Sequence, residues 1–156
     1  MFNLLTTKTS LKQLEIIAKK LARKSLIGDI YLLSGELGAG KTTFIRFFIY
    51  SLFARNLIKK PSSIKSPSFP IMINYSVKNF EIFHYDLYRI NNDKELQELN
   101  MIENLNKNIT VVEWPQMIIN STQIKNYFYI NFNIVNARIR IIKIQHTRNK
   151  HFNNEF

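Results

Sequence analysis

The sequence predicts an α/β fold with a mainly parallel central sheet, flanking helices and an antiparallel hairpin at the C-terminal end. An apolar run at 29–34 has strand character, and a glycine-rich segment separates it from a longer apolar run at 43–53 that fits a buried helix. A β-branched run at 109–113 predicts another strand, which ends in an acid. Residues 127–135 and 138–144 alternate apolar and polar side chains around a tight turn at Asn136, which predicts the closing hairpin.

The N-terminal part of the chain carries the pattern of an amphipathic helix. Ser10 and Gln13 have the spacing of a capping box, and the helix is expected to run to about Lys24. Its apolar residues repeat at helical spacing and are predicted to face the core: Leu11, Leu14, Ile17, Ala18 and Leu21. Gly28 can then end the loop that leads into the strand at 29–34.

The middle of the chain predicts two strands and a short helix. Residues 70–75 and 80–85 alternate as strands joined around 77–79. Residues 94–99 form an acidic helix, and Asn100 after it tolerates the left-handed conformation of a helix C-terminus. The connector at 59–68 is polar, contains two prolines and has the position of a switch segment near a bound γ-phosphate.

Length and composition predict a single domain at 1–147, followed by a frayed polar tail at 148–156. The chain contains no cysteine, which excludes disulfides, thiolate metal sites and a cysteine nucleophile. Its first eight residues lack the pattern of a signal peptide, and no run approaches the roughly 18 apolar residues of a membrane span. We therefore expect a cytoplasmic protein without a membrane partner.

The net charge of +11 is unevenly distributed. Residues 1–60 carry 11 basic and 3 acidic side chains, whereas residues 61–113 carry 5 basic and 7 acidic ones. The segment 114–156 is basic again, with 6 basic residues and 1 acidic residue. The basic ends could face a polyanion such as tRNA or a nucleotide, or could reflect the coding bias that also makes Asn, Ile and Lys abundant.

One segment identifies a chemistry: Gly35-Glu36-Leu37-Gly38-Ala39-Gly40-Lys41-Thr42, followed by Thr43. It matches the phosphate-binding loop of nucleoside triphosphatases, and it holds three of the four glycines of the chain. Glycine permits positive φ and close approach of a phosphate, so successive N–H groups can surround an anion. In this pattern the lysine reaches the β- and γ-phosphates and the hydroxyl after it binds Mg²⁺. The sequence therefore predicts a P-loop NTPase that binds ATP and Mg²⁺.

An ATP–Mg²⁺ site also needs an acidic side chain at the end of a neighbouring strand. Glu113 ends the β-branched strand and precedes Pro115, where the chain turns. It is expected to bind the metal directly or through water, the alternative being an exposed strand-end acid. Trp114 next to it could be a core anchor or could gate the pocket.

A second set of polar residues lies at 84–89. Asp86 ends a predicted strand and could orient the attacking water or a metal-bound water. Arg89 could neutralise the γ-phosphate or pair with an acid. His84 is more often a hydrogen-bonded structural histidine than a metal ligand, because no cysteine or second close histidine supports a zinc site.

Four blocks in this order resemble one family, TsaE (also called YjeE), the small bacterial ATPases of tRNA threonylcarbamoyladenosine synthesis. They are GELGAGKTTF at 35–44, SPSF at 66–69, HYDLYR at 84–89 and VEWP at 112–115. The chain departs from the usual family pattern at Ser68, where Thr is usual, and at Phe47 and Asn100, where Gly is usual. None of these departures removes a charged residue of the site.

The resemblance implies roles for individual residues. Lys41 would bind the β- and γ-phosphates, Thr42 would ligate Mg²⁺, and Thr43 and the loop residues 35–40 would line the nucleotide. Glu113 would be the acid of the metal site and Asp86 an essential acid near the γ-phosphate, so Lys41, Asp86 and Glu113 form the catalytic set. The resemblance also implies partners, TsaB and TsaD, the latter transferring threonylcarbamoyl to the adenosine beside the anticodon. ATP hydrolysis would reset that complex, and contact with tRNA would be indirect or weak.

Other nucleotide enzymes fit the sequence less well. A GTPase usually reads guanine with Asn-Lys-x-Asp, and Asn106-Lys107-Asn108 lacks the following acid. A small-molecule kinase would need an acceptor pocket, often with several arginines, and three of the seven arginines lie in or after the closing hairpin. A protein that only binds ATP as a conformational ligand is the third possibility, which the intact Lys41, Thr42, Asp86 and Glu113 disfavour.

Overall fold

The computed structural model describes residues 2–105, 107–119, 124 and 126–147. Seven strands form one sheet: β1 (Phe2–Thr9), β2 (Ile30–Gly35), β3 (Met72–Val77), β4 (Phe80–Asp86), β5 (Ile109–Glu113), β6 (Tyr127–Ile134) and β7 (Arg140–His146). The helices are α1 (Leu11–Lys24), α2 (Lys41–Arg55), α3 (Asp93–Glu98) and α4 (Met101–Asn104), with a 3₁₀ helix at Pro115–Met117. The predicted tail at 148–156 lies outside the described residues.

The sheet is mixed, with the strand order β1-β7-β6-β2-β5-β4-β3. Strands β4, β5, β2 and β6 are parallel neighbours and form its centre. Antiparallel strands extend it on both sides, because β3 pairs with β4, β7 with β6, and β1 with β7. The expectation of a mainly parallel sheet therefore holds for the centre alone, and three of the six pairings are antiparallel.

Strand β1 has no counterpart among the sequence predictions. Its apolar residues Leu4 and Leu5 are adjacent, so the alternation that marks a half-buried strand is missing. The register of β1 with β7 shifts between Asn3 and Leu5, as at a β-bulge. The pairing of β1 with the distant strand β7, and not an alternating sequence pattern of its own, explains why β1 is extended.

Alternate residues of β2 face two apolar clusters, one on each side of the sheet. Tyr31 and Leu33 pack with α1 and α2, whereas Ile30 and Leu32 pack with Met101 of α4 and its neighbours. Helix α2 buries Phe44, Ile45, Phe48, Ile49, Leu52 and Phe53, which explains why its sequence is apolar almost all round. The described helices include none that is long and apolar enough to cross a membrane.

Several local predictions agree with the structure. The capping box of α1 is formed, because Ser10 Oγ accepts from Gln13 N and Gln13 Oε1 accepts from Ser10 N. Asn100 adopts a left-handed conformation at φ 47°. The prediction that Leu11 faces the core is wrong. Leu11 is 61% exposed, and the buried residues of α1 begin at Leu14.

The connection between β6 and β7 is longer than the predicted tight turn. It spans 135–139, and β7 begins at Arg140 rather than at Arg138. The reason is local, because Asn136 Oδ1 accepts hydrogen bonds from the backbone N–H groups of Arg138 and Ile139, each at 2.9 Å. This side chain stabilises a wider loop in place of a two-residue turn.

Candidate active site

Three parallel strands end side by side at one edge of the sheet. Gly35 ends β2, Glu113 ends β5 and Asp86 ends β4. Glu113 is aligned with Leu33 on one neighbouring strand and with Asp86 on the other. The sequence-predicted loop and both acids are therefore brought together at the carboxyl ends of the strands, where open α/β sheets bind ligands.

The glycines of the loop are required by its backbone. Gly35 has φ 143°, and a Cβ atom there would lie 2.5 Å from the carbonyl oxygen of Phe132 on β6. Gly40 has φ 108° and is the residue from which α2 begins. The N-terminus of α2 therefore opens directly onto the loop, as in phosphate sites at helix termini.

The side chain of Lys41, the first residue of α2, is buried against the loop that precedes the helix. Its Nζ donates hydrogen bonds to the carbonyl oxygens of Gly35 at 2.7 Å and Glu36 at 2.9 Å, and it lies 3.9 Å from the centre of the Trp114 ring. Burial lowers the pKa of the Lys41 ammonium, while the charges of Glu113 and Asp86 act in the opposite direction. In this arrangement the lysine is bound by its own loop and by an aromatic face.

Glu113 is held by residues of regular elements. The hydroxyl of Thr42 donates towards both carboxylate oxygens, at 3.0 Å from Oε1 and 2.9 Å from Oε2. His84 of β4 is fully buried, and its Nε2 lies 2.9 Å from Oε1 of Glu113. Because an ionised carboxylate only accepts hydrogen bonds, Nε2 carries the proton and donates to Glu113, while Nδ1 has no hydrogen-bond partner among the described residues. His84 is thus a hydrogen-bonded histidine, as the sequence suggested.

Asp86 is held by the connector at 59–68. The hydroxyls of Ser66 and Ser68 both donate to Asp86 Oδ2, the latter at 2.9 Å, and the two hydroxyl oxygens lie 3.2 Å apart. The N–H group of Tyr88 donates to Oδ1 at 3.1 Å. The SPSF block therefore reaches the site through this carboxylate, and the hydroxyl of Ser68 makes the contact although Thr is usual there.

Trp114 forms one side of the site. It adopts a left-handed conformation at φ 58°, and its ring packs on Tyr88 with centroids 4.8 Å apart. Of the two interpretations of this residue, contact with Lys41 places it at the pocket rather than in the core. Arg89 instead stacks on the exposed ring of Phe69, 4.4 Å from its centre.

Two adjoining cavities share the loop. A cavity of about 220 Å³ is lined by Lys41, Thr42, Asp86, Glu113 and Trp114. A larger cavity of about 520 Å³ lies on the other side of Gly38, Gly40 and Thr43, and residues 9–12 and the β6–β7 loop line it. Thr43 therefore lies between the two cavities, whereas the side chains of Glu36 and Leu37 are exposed at the tip of the loop.

Sequence reasoning did not assign Arg140 to this site. The guanidinium of Arg140 donates to the carbonyl oxygens of Ala39 at 3.1 Å and Gly38 at 3.3 Å, across a separation of about a hundred residues. The only available signal was the basic C-terminal segment, which pointed to nucleic acid instead. Leu11 lines the larger cavity, and its helical spacing suggested a core residue.

The fold and the site define the class: an α/β protein with a mixed sheet, in which a glycine-rich loop and two acids lie together at the ends of parallel strands. A family model described as threonylcarbamoyl adenosine biosynthesis protein TsaE matches residues 8–146. The chain belongs to the TsaE family.

Individual relatives agree with this assignment. A protein of Rickettsia conorii named tRNA threonylcarbamoyladenosine biosynthesis protein TsaE is 41% identical over 72% of this chain and 61% of its own length. A protein of the same name from Rickettsia typhi is 40% identical over 72% of this chain and 74% of its own length. The chain thus spans about three fifths of the length of the R. conorii relative. The crystal structure of Bacillus subtilis YdiB has a similar fold, with a TM-score of 0.69, 24% identity, and coverage of 97% of this chain and 90% of that one.

Proposed function

We propose that this protein is a Mg²⁺-dependent P-loop ATPase that acts in tRNA threonylcarbamoyladenosine biosynthesis. The observation that carries the proposal is the contact of Thr42 with Glu113, which joins the end of the glycine loop to a strand-end acid. The names of the relatives support the pathway. The reaction would be hydrolysis of ATP to ADP and phosphate, in the cytoplasm.

The two cavities fit the two ends of a nucleotide. The smaller one contains Lys41, the hydroxyl of Thr42 and two acids, a set suited to phosphates and a metal. The larger one, about 520 Å³, lies within the size range of small-molecule pockets and adjoins the loop, so it would take the nucleoside. Gly38, Gly40 and Thr43 line both cavities and would lie beside the phosphates that join the two ends.

The oxygen atoms at the strand ends fit Mg²⁺. This ion prefers oxygen ligands, takes one or two protein carboxylates, and completes its shell with phosphate and water. Thr42 and Glu113 would hold it, because their oxygens already adjoin and His84 fixes the carboxylate. When bound, the ion neutralises charge that develops on the phosphates.

The remaining chemistry belongs to Lys41 and Asp86. Lys41 would bind the β- and γ-phosphates as a point charge. Asp86 would orient the attacking water, since its carboxylate is buried, lines the smaller cavity and lies in register with Glu113. Ser66 and Ser68 both donate to Oδ2 of this carboxylate in the structure, so the connector would adjust when Asp86 uses that oxygen to orient the water.

Three exposed apolar side chains line the smaller cavity or adjoin residues that line it. Leu37 is 78% exposed, Phe69 82% and Tyr88 59%. Leu37 lies on the loop, Phe69 ends the SPSF block and Tyr88 packs on Trp114. We propose that this surface contacts the TsaB–TsaD pair, with tRNA contacted indirectly or weakly, because exposed apolar groups around a functional opening are typical of a protein interface.

The decisive experiment measures ATP hydrolysis by the purified chain, alone and with TsaB, TsaD and tRNA. We expect slow turnover that rises with the partners and is abolished in Lys41→Ala, with the exposed Lys59→Ala as the matched control. Binding is followed separately by the fluorescence of Trp114, the single tryptophan, because phosphates must draw Lys41 away from its ring. If TsaB, TsaD and tRNA do not change the rate of hydrolysis, the protein is an ATPase outside this pathway. If the protein binds no nucleotide, the whole proposal is wrong.

A further inference from the structure

Arg140 connects the closing strands to the glycine loop. Besides its bonds to the carbonyls of Gly38 and Ala39, its guanidinium donates to the carbonyl oxygens of Asn136 at 2.5 Å and Ile139 at 3.1 Å. One side chain thus joins the β6–β7 loop to the middle of the phosphate loop. The planar guanidinium has five donors in a fixed arrangement, which suits several carbonyls at once.

The two carbonyls belong to peptide units of the anion-binding stretch. The carbonyl of Gly38 shares its peptide unit with the N–H of Ala39, and the carbonyl of Ala39 shares its unit with the N–H of Gly40. A cation on the oxygen side fixes the orientation of each unit and polarises it, so the N–H on the opposite side becomes a stronger donor. In the Gly38–Ala39 unit, the N–H of Ala39 already donates to the carbonyl of Glu36 at 3.1 Å. The Ala39–Gly40 unit therefore matters more for binding an anion, through the N–H of Gly40.

Neighbouring cations of the C-terminal segment lack these features. Arg138 and Lys143 are exposed, whereas Arg140 is half-buried and begins β7. Arg138 also lines the larger cavity without a described hydrogen bond from its side chain to the loop. Among these three residues, position and bonding single out Arg140.

We propose that Arg140 is a positioning residue that holds the phosphate loop in the shape that accepts a nucleotide. The inference rests on the proposed nucleotide binding and extends it to a residue outside the loop and its acids. Loss of Arg140 leaves Lys41, Thr42, Glu113 and Asp86 in place but removes the side-chain support of the Gly38 and Ala39 peptides. Affinity for ADP and ATP should fall together, because both nucleotides present a β-phosphate to the loop.

The test compares Arg140→Ala, Arg140→Lys and a control, Lys143→Ala, in the full chain. Lys143 lies on the same strand, is exposed and lines neither cavity. Amide hydrogen exchange of residues 35–44 without nucleotide measures the loop directly, and titration with ADP and with ATP measures the consequence. We expect faster exchange at residues 38–40 and about tenfold weaker binding of both nucleotides in Arg140→Ala, the size expected for lost charge-assisted hydrogen bonds. Arg140→Lys should recover only part of the affinity, because a single ammonium cannot hold two carbonyls in a fixed geometry.

The outcomes separate this inference from the function on which it rests. Unchanged exchange at 38–40 in Arg140→Ala overturns the positioning role, whatever the nucleotide affinity. Full affinity in Arg140→Lys also overturns it, because the charge alone would then suffice. If the wild-type chain binds no nucleotide, the proposed function fails, while the exchange data still decide whether Arg140 holds the loop.

Discussion

Asp86 and Glu113 end neighbouring parallel strands in register, yet different parts of the molecule hold them. Glu113 contacts Thr42 at the start of α2 and the fully buried His84 of β4. Asp86 contacts Ser66 and Ser68, which lie in a connector without regular secondary structure. One acid is therefore fixed by packed elements and the other by an irregular segment.

This difference suggests a division of work within the site. A carboxylate that keeps its position suits a metal, whose ligands are best fixed by residues behind them. A carboxylate whose partners lie on a connector can exchange serine hydroxyls for water when a nucleotide arrives. Glu113 should then control chemistry alone, and Asp86 should control both chemistry and the state of the connector.

The largest effect is expected for Glu113→Ala. Removal of the carboxylate should lower the rate of ATP hydrolysis about a hundredfold to a thousandfold, the range for loss of a main electrostatic group, and abolish the response to added Mg²⁺. The measurement is hydrolysis after chelation, followed by titration with Mg²⁺. Glu113→Gln keeps the side-chain volume and guards against loss of folding.

A matched control is Glu81→Ala, at the other end of β4 from the site. It should leave both the rate and the Mg²⁺ response unchanged. Normal hydrolysis by Glu113→Ala, with the ordinary Mg²⁺ dependence, would show that the metal site lies elsewhere.

Asp86→Asn should have a smaller effect on rate but a second effect that Glu113 lacks. Loss of the negative charge should slow hydrolysis about a hundredfold, the lower end of the range for a positioned acid or base, while nucleotide binding persists. The serines would also lose their charged acceptor, so the connector should open more often. Trypsin cleavage after the exposed Lys65 measures this opening.

If the connector is held by Asp86 and not by Glu113, only the first of the two acids should affect its opening. Cleavage at Lys65 should rise in Asp86→Asn and remain at the wild-type rate in Glu113→Gln. Equal cleavage in both variants would mean that the connector does not depend on Asp86, and the division of work between the acids would fail.

The fixed part of the site was predictable from sequence because its signals are local. Glycine spacing, the lysine and hydroxyl after it, and an acid at the end of a β-branched run indicate Gly35–Thr42 and Glu113 as candidates without knowledge of the rest of the fold. Parallel pairing then brings strand ends to one edge. The left-handed Asn100 was predictable for the same reason, since its conformation follows from its place after a helix.

The contacts of the other part come from side chains that no local pattern singles out, namely two serines of an irregular connector and an arginine at the start of β7. The bonds from Ser66 and Ser68 to Asp86 cross about 20 residues, and those from Arg140 to the loop cross about 100. Strand β1 is likewise defined by its pairing with β7, at the opposite end of the chain. The resemblance to a family indicated that SPSF matters, but the structure identifies the carboxylate with which it interacts.

The smallest effect is expected at Ser68, where the chain departs from the usual threonine. Ser68→Ala removes one of two hydroxyls on Asp86, and a hydrogen bond of this kind contributes about 1 kcal/mol, so cleavage at Lys65 should rise about fivefold. Ser66 still holds the carboxylate, which limits the loss of hydrolysis to a few-fold. Ser68→Thr should instead slow cleavage slightly, because a β-branched side chain has fewer rotamers to lose. If Ser68→Ala opens the connector as much as Asp86→Asn does, the two hydroxyls do not share the carboxylate, and Ser68 alone holds the segment in place.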